Sequence, residues 1–248
     1  MIEKLDYSII AGFIFTVILT MILLYHPLWK LARPKKNILL SLLIIMGWMG
    51  LQGVLAYQGF YLQLDVAPPP FPLVILPPAI SIFLLLTLSS RHFILSLPLQ
   101  SLTWIHIVRI PVEIVLWQLY LAGYVPGLMT FEGRNFDIIA GLSAPLVAIL
   151  AFRGGRIRRN LLLWWNIISL ALVLNIVVHA ILSMPYKLTQ SLAFDSPNVA
   201  VLYFPFIWLP ALIVPIVIFC HISSIIIIYS QHTLKLKPTK HEKLSGFE

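Results

Sequence analysis

Long apolar runs alternate with short polar joints along the whole chain. A helix needs about 20 apolar residues to cross the hydrocarbon core of a bilayer, and seven runs reach roughly that length: Tyr7 to Tyr25, Ile38 to Tyr57, Phe71 to Ser89, Leu99 to Ala122, Phe136 to Phe152, Leu161 to Leu182 and Val199 to Tyr229. The pattern predicts an all-α fold, a polytopic membrane helix bundle of seven transmembrane helices. Residues 1–230 make the bundle and residues 231–248 a basic cytoplasmic tail too short to fold alone.

The polar joints are not equivalent. Of the 17 Lys and Arg, 13 fall at alternate joints: Lys30, Arg33, Lys35 and Lys36; Arg91; Arg153, Arg156, Arg158 and Arg159; Lys235, Lys237, Lys240 and Lys243. Short loops rich in Lys and Arg stay on the cytoplasmic side. The expected topology therefore has the N-terminus outside, the C-terminus cytoplasmic, and outward loops at Gln58 to Pro70, Gly123 to Asn135 and Ser183 to Asn198. A multi-pass protein of the cell membrane is expected.

Composition supports lipid as the solvent. The chain is 60% hydrophobic and 10% charged, against about 45–50% and 25% in soluble domains. Its net charge of +8 sits in short clusters beside apolar runs, with no basic stripe interleaved with aromatics, so nucleic acid is not an expected partner. Membrane lipids with anionic headgroups are. The single cysteine, Cys220, excludes an intramolecular disulfide and any cysteine-based metal cluster. The first apolar run is too long for a signal-peptide core and is read as an uncleaved span.

Prolines punctuate the spans at Pro77, Pro78, Pro111, Pro145, Pro205, Pro210 and Pro215. Each removes a backbone donor, so a carbonyl one turn back needs another partner and the helix can kink. Gly47, Gly50 and Gly53 form a small-residue stripe expected to allow close helix approach.

Ionisable groups inside a span are costly and usually face protein or a wet cavity. His106, Arg109 and Glu113 follow i, i+3, i+7 spacing, which places them on one helix face. Arg109 and Glu113 are expected to pair, with Pro111 between them freeing the Ile107 carbonyl. Counting from the span ends puts Glu113, Asn175 and His179 in the outer half of the bundle with Asp137 nearby. An outward-opening polar pocket made by Arg109, Glu113, Asn175, His179 and Asp137 is therefore the expected ligand-binding site. The loop Val125 to Asp137 above it reads as a lid or a structured turn.

His106 and His221 lie at nearly one depth on different spans. Two such imidazoles are potential axial haem ligands, or ligands to another metal. No cofactor is otherwise implied, and catalytic residues are not identifiable: H-E-x-x-H, P-loop, G-x-S-x-G and G-x-G-x-x-G motifs are all absent. No predicted span contains a lysine on which retinal could form a Schiff base. The first expectation is a membrane protein that binds a small or amphipathic ligand in a polar cavity, as transporter or sensor. Its alternatives are a membrane-embedded enzyme or haem-based redox protein using His106 and His221, and a structural or assembly subunit of a membrane complex. The oligomeric state is open.

Overall fold

The computed structural model describes residues 5–31, 34–88, 91–155, 157–187 and 196–235. Arg33, Arg156, most of the basic tail and the centre of the last outward loop lie outside these residues. Among them the chain is all helical: α1 (Tyr7–Leu31), α2 (Lys36–Tyr57), α3 (Pro72–Leu88), α4 (Arg91–Ser96), α5 (Leu99–Trp104), α6 (Arg109–Leu121), α7 (Asp137–Phe152), α8 (Arg159–Leu182) and α9 (Val214–Lys235).

Six helical segments are long and apolar enough to cross a membrane. The third expected span, α3, has 17 residues and falls just short of that length. Its bounds lie within one residue of the expected Phe71 to Ser89, and Ser89 lies outside the described residues. The last expected span also differs. Helix was expected from Val199, but residues 200–202 form an isolated 3-10 turn and continuous helix begins only at the π-turn Leu209–Ile213. Pro205 and Pro210 interrupt the backbone ladder over this stretch.

Two segments form the centre of the bundle. Of the most apolar window in Leu99–Leu121 and in Leu209–Ser230, 61% is buried, against 22–33% for α1, α2, α7 and α8. The first central segment is not one regular helix. Residues Ile105–Val108 tighten into a 3-10 turn between α5 and α6, one turn before Pro111, whose missing N–H leaves the regular ladder incomplete. Around the centre, α7 presents a face of small residues, Ala140, Gly141, Ala144, Ala148 and Ala151, all buried. Small side chains let helix backbones approach closely, the usual basis of packing where lipid removes the hydrophobic driving force.

The stripe in α2 is used at one position. A Cβ on Gly53 would meet the Phe204 ring at 3.4 Å, whereas Gly47 and Gly50 face open space. Two indoles fasten this helix to the start of the last segment: Trp48 donates to the Ala211 carbonyl at 3.0 Å and Trp208 to the Met49 carbonyl at 2.9 Å.

Three loops gather at one end of the bundle. The Tyr186 hydroxyl donates to the Tyr61 carbonyl at 2.6 Å, and Lys187 pairs with Asp65 at 3.0 Å, joining the loop after α2 to the loop after α8. The backbone N–H of Val199 and of Ala200 reach the Tyr124 carbonyl, both at 3.1 Å. These are the loops expected to share one side of the membrane. At this cap Tyr61 donates to Gln52 at 2.5 Å. Burial pushes its phenol up to about 12, opposed by that hydrogen bond; burial, followed by the neighbouring Tyr61, raises Tyr186 as well.

Candidate functional site

A buried polar knot joins four elements at the centre of the bundle. Arg109, the first residue of α6, is only 2% exposed. One terminal nitrogen lies 2.8 Å from an Asp137 carboxylate oxygen and 2.9 Å from the Ser169 carbonyl of α8. The other lies 3.3 Å from Nε2 of His221 on α9. A guanidinium only donates, so His221 accepts through Nε2 and carries its proton on Nδ1. That nitrogen donates to Asn166 Oδ1 at 2.8 Å, and the Asn166 amide donates back to the Leu162 carbonyl at 2.8 Å. One arginine thereby connects α6, α7, α8 and α9.

Gly141 makes this geometry possible. It follows Asp137 by one turn, and a Cβ there would lie 3.0 Å from the Ile110 backbone nitrogen and 3.2 Å from Arg109 Cβ. Without a side chain at 141, α7 approaches the Arg109 backbone closely enough for the carboxylate above it to reach the guanidinium.

The expected partner of Arg109, Glu113, is held differently. Its two carboxylate oxygens accept from the Asn135 amide at 2.7 and 2.8 Å. The same amide donates to the Met129 carbonyl at 3.0 Å, while Asn135 Oδ1 accepts from the Asp137 N–H at 3.0 Å. Glu113 is 1% exposed and Asn135 fully buried. The anticipated Arg109–Glu113 ion pair is therefore replaced by an Arg109–Asp137 pair. Two buried carboxylates accompany one guanidinium.

The loop carrying Asn135 is shaped by glycine. A Cβ on Gly133 would sit against the Gly127 carbonyl oxygen and 2.5 Å from Leu128 Cα, so only glycine fits. Around it the N–H of Arg134 bonds the Leu128 carbonyl at 3.0 Å and the N–H of Asn135 the Thr130 carbonyl at 3.2 Å. The expected lid or turn is thus a compact hydrogen-bonded loop that inserts a side chain into the bundle. Asn135 was missed as a site residue because it precedes its helix and belongs to no periodic face. Its place between Glu113 and Asp137 becomes visible only once α6 and α7 are packed.

Asn175 and His179 do not reach Glu113. The Asn175 amide donates to the Arg134 carbonyl at 3.0 Å, and His179 Nδ1 faces the Asn175 carbonyl at 2.8 Å. The Arg134 carbonyl and the Asn135 N–H belong to one peptide unit. Asn175 therefore anchors the loop from α8, and Glu113 engages it from α6. Among the described residues Arg109, Glu113, Asp137 and Asn135 make a buried core, and Asn175 and His179 lie at its edge.

The two deeper histidines meet directly. The His106 and His221 ring centroids are 3.7 Å apart with an interplanar angle of 15°, and Trp165 packs against both. Axial imidazoles of one haem lie on opposite faces of the macrocycle, whereas these rings stack on each other, and His221 Nε2 faces Arg109. The pair does not fit a bis-histidine haem site. Among the described residues no group of three or more His, Cys, Asp or Glu is placed to hold a metal ion.

A wholly apolar groove lies away from the knot. It has a volume of about 250 Å³ and is bounded by α3, α8 and the start of α9, with Leu116 of α6 and Met129 of the loop among its lining residues. None of Arg109, Glu113, Asp137, Asn175 or His179 lines it. Leu116 lies three residues after Glu113, and the Met129 carbonyl accepts from Asn135.

The architecture is that of an all-helical protein with multiple helices able to span a membrane around a buried ionisable core. The family model for a domain of unknown function, DUF8737, matches residues 70–229, and the chain belongs to that family. No curated protein and no solved structure matches the chain.

Proposed function

We propose that this DUF8737 protein is a seven-span protein of the cell membrane that binds a small or amphipathic ligand at its buried ionisable core, as transporter or sensor. The observation that carries this reading is the charge inventory of the knot: among the described residues Asp137 takes the guanidinium of Arg109, and Glu113 is hydrogen-bonded to the Asn135 amide without a salt bridge. Ionisable groups at membrane depth are expensive and tend to mark substrate or ion pathways. A second carboxylate without its own cation is an acceptor for a proton or for the cationic group of a ligand. Asn135 orients it, and the compact loop above it covers the site.

Topology is part of the proposal. The loops after α2, α6 and α8 share one end of the bundle. The segment Leu99–Leu121 is itself long enough to span, and a return to the opposite end between residues 58 and 99, with α3 as a seventh crossing, is consistent with this reading. With the basic joints on the cytoplasmic side, the gathered loops face outward and the inward joints contact anionic headgroups.

A structural reading has its own support, since Arg109 ties four elements together and both of its terminal nitrogens are engaged. Native mass spectrometry of wild type and Glu113→Gln separates the readings. A bound species present in wild type and lost in the variant supports ligand binding. Identical spectra from the two proteins contradict it.

A further inference from the structure

The apolar groove has the length, direction and lining of a site for one hydrocarbon chain. Phe71, Ile75, Ala79 and Ile82 form its wall on α3, at the i, i+4, i+8, i+11 spacing of one helix face. That stripe covers about 16 Å along the axis, close to half of the roughly 30 Å hydrocarbon thickness of a bilayer. Met184, just past the end of α8, and Leu209 belong with Phe71 to one apolar cluster at the loop end, and Ile176 and Ile218 complete the lining.

Every lining residue is apolar, so an occupant brings no polar group below the loop end. Several walls, among them Ile75, Val177, Ile181 and Val214, keep partial exposure and Ala79 is exposed; the groove is therefore open at its side. A stripe of that length, apolar throughout and open along its side, matches one extended hydrocarbon chain of a single leaflet. Pro210 and Pro215 at the start of the last segment line the groove, and residues Leu209–Ile213 adopt a π-turn beside it.

We propose that the groove between α3, α8 and the Leu209–Ile218 stretch holds one acyl chain of a membrane phospholipid, taken from the leaflet on the side of the gathered loops. The chain lies parallel to the spans, with its headgroup end at Phe71 and Met184 and its terminal methyl near Ile82 and Ile218. This site stands apart from the Arg109 knot and does not rest on the ligand reading of Glu113.

The test uses the full-length protein in nanodiscs of phosphatidylethanolamine and phosphatidylglycerol, with a trace of phosphatidylcholine carrying a photoactivatable diazirine either near the carbonyl or at the terminal methyl of one chain. The carbonyl-proximal probe is expected to label peptides holding Phe71, Ile181 or Met184, and the terminal probe those holding Ile82 or Ile218. Labelling should exceed that of Leu142, Leu146 and Ile149 on the exposed face of α7 by about tenfold. Ala79→Trp, which fills the groove, should remove groove labelling and leave α7 labelling unchanged. Should that variant misfold, the wild-type depth map decides alone. Labelling equal to that of α7, or independent of probe depth, overturns the proposal; so does a diazirine fatty acid that labels the groove in preference to the phospholipid.

Discussion

Arg109 on α6 and Asp137 on α7 meet at 2.8 Å inside the bundle, and that contact decides which of two buried carboxylates is left without a cation. Breaking a buried pair by removing one partner costs about 3–5 kcal/mol, because the other charge stays uncompensated. Arg109→Gln and Asp137→Asn should each lower stability by about that amount, and the double variant by clearly less than the sum. The coupling read from a chemical or thermal unfolding cycle should exceed that of Arg109 with Glu113. A larger Arg109–Glu113 coupling would reverse the assignment of partners.

Glycine substitutions test how the site is built. Gly133→Ala places a methyl 2.5 Å from Leu128 Cα, a backbone clash that no rotamer relieves. A loss of about 1–3 kcal/mol in stability is expected, the usual range for overpacking. Gly141→Ala meets the Ile110 nitrogen at 3.0 Å, and a smaller shift of α7 accommodates it. Its effect should be smaller, and should diminish when Asp137 is already Asn, since the Arg109 contact it disturbs is then absent. Melting curves of wild type, the three single variants and the Gly141→Ala/Asp137→Asn double variant report both comparisons.

Spans were legible in the sequence because hydrophobicity and length alone determine which segments prefer lipid: α2, α7 and α8 begin and end within a few residues of their expected bounds, whereas α1 starts at Tyr7 as expected but runs on to Leu31, six residues past the expected end. The failures lie where backbone chemistry overrides composition. Residues 199–208 are apolar enough to read as membrane helix, yet two prolines keep them out of one. Within the site, helical periodicity correctly grouped His106, Arg109 and Glu113 on the central segment. It could not choose between Glu113 and Asp137 as the partner of Arg109, because that choice depends on how closely α7 approaches at Gly141. Asn135 lay beyond reach for the same reason: a loop side chain has no period.

The tyrosine cap gives an alkaline signature. Tyr61 has a phenol pushed up to about 12 in the folded protein, against about 10 when unfolded. The folded state therefore holds this proton more tightly. Its contribution to stability is complete below pH 10 and is lost as pH rises through about 12. Tyr61→Phe should be less stable than wild type at neutral pH through loss of the Gln52 bond, and should show a shallower decline between pH 10 and 12. Equal slopes in urea or thermal unfolding across that interval would contradict the assignment.

Topology is accessible to cysteine labelling in a Cys220→Ser background. Lys187→Cys and Asp65→Cys, whose native side chains are exposed and pair with each other at 3.0 Å, should react with an impermeant maleimide in intact cells. Arg158→Cys should react only after permeabilisation. Labelling of position 158 from outside would reject the proposed orientation.

On the proposed reading Glu113, left over when Asp137 takes Arg109, serves a ligand rather than the fold. The most direct measurement pairs native mass spectrometry with a melting curve on the same preparation of Glu113→Gln. Gln keeps the size of Glu and an oxygen for the Asn135 amide while removing the charge. The species bound to wild type is expected to disappear, and the melting temperature to stay within a few degrees, about what a change of 1 kcal/mol produces. A large fall in melting temperature with the bound species unchanged would show that Glu113 holds the bundle together and binds nothing.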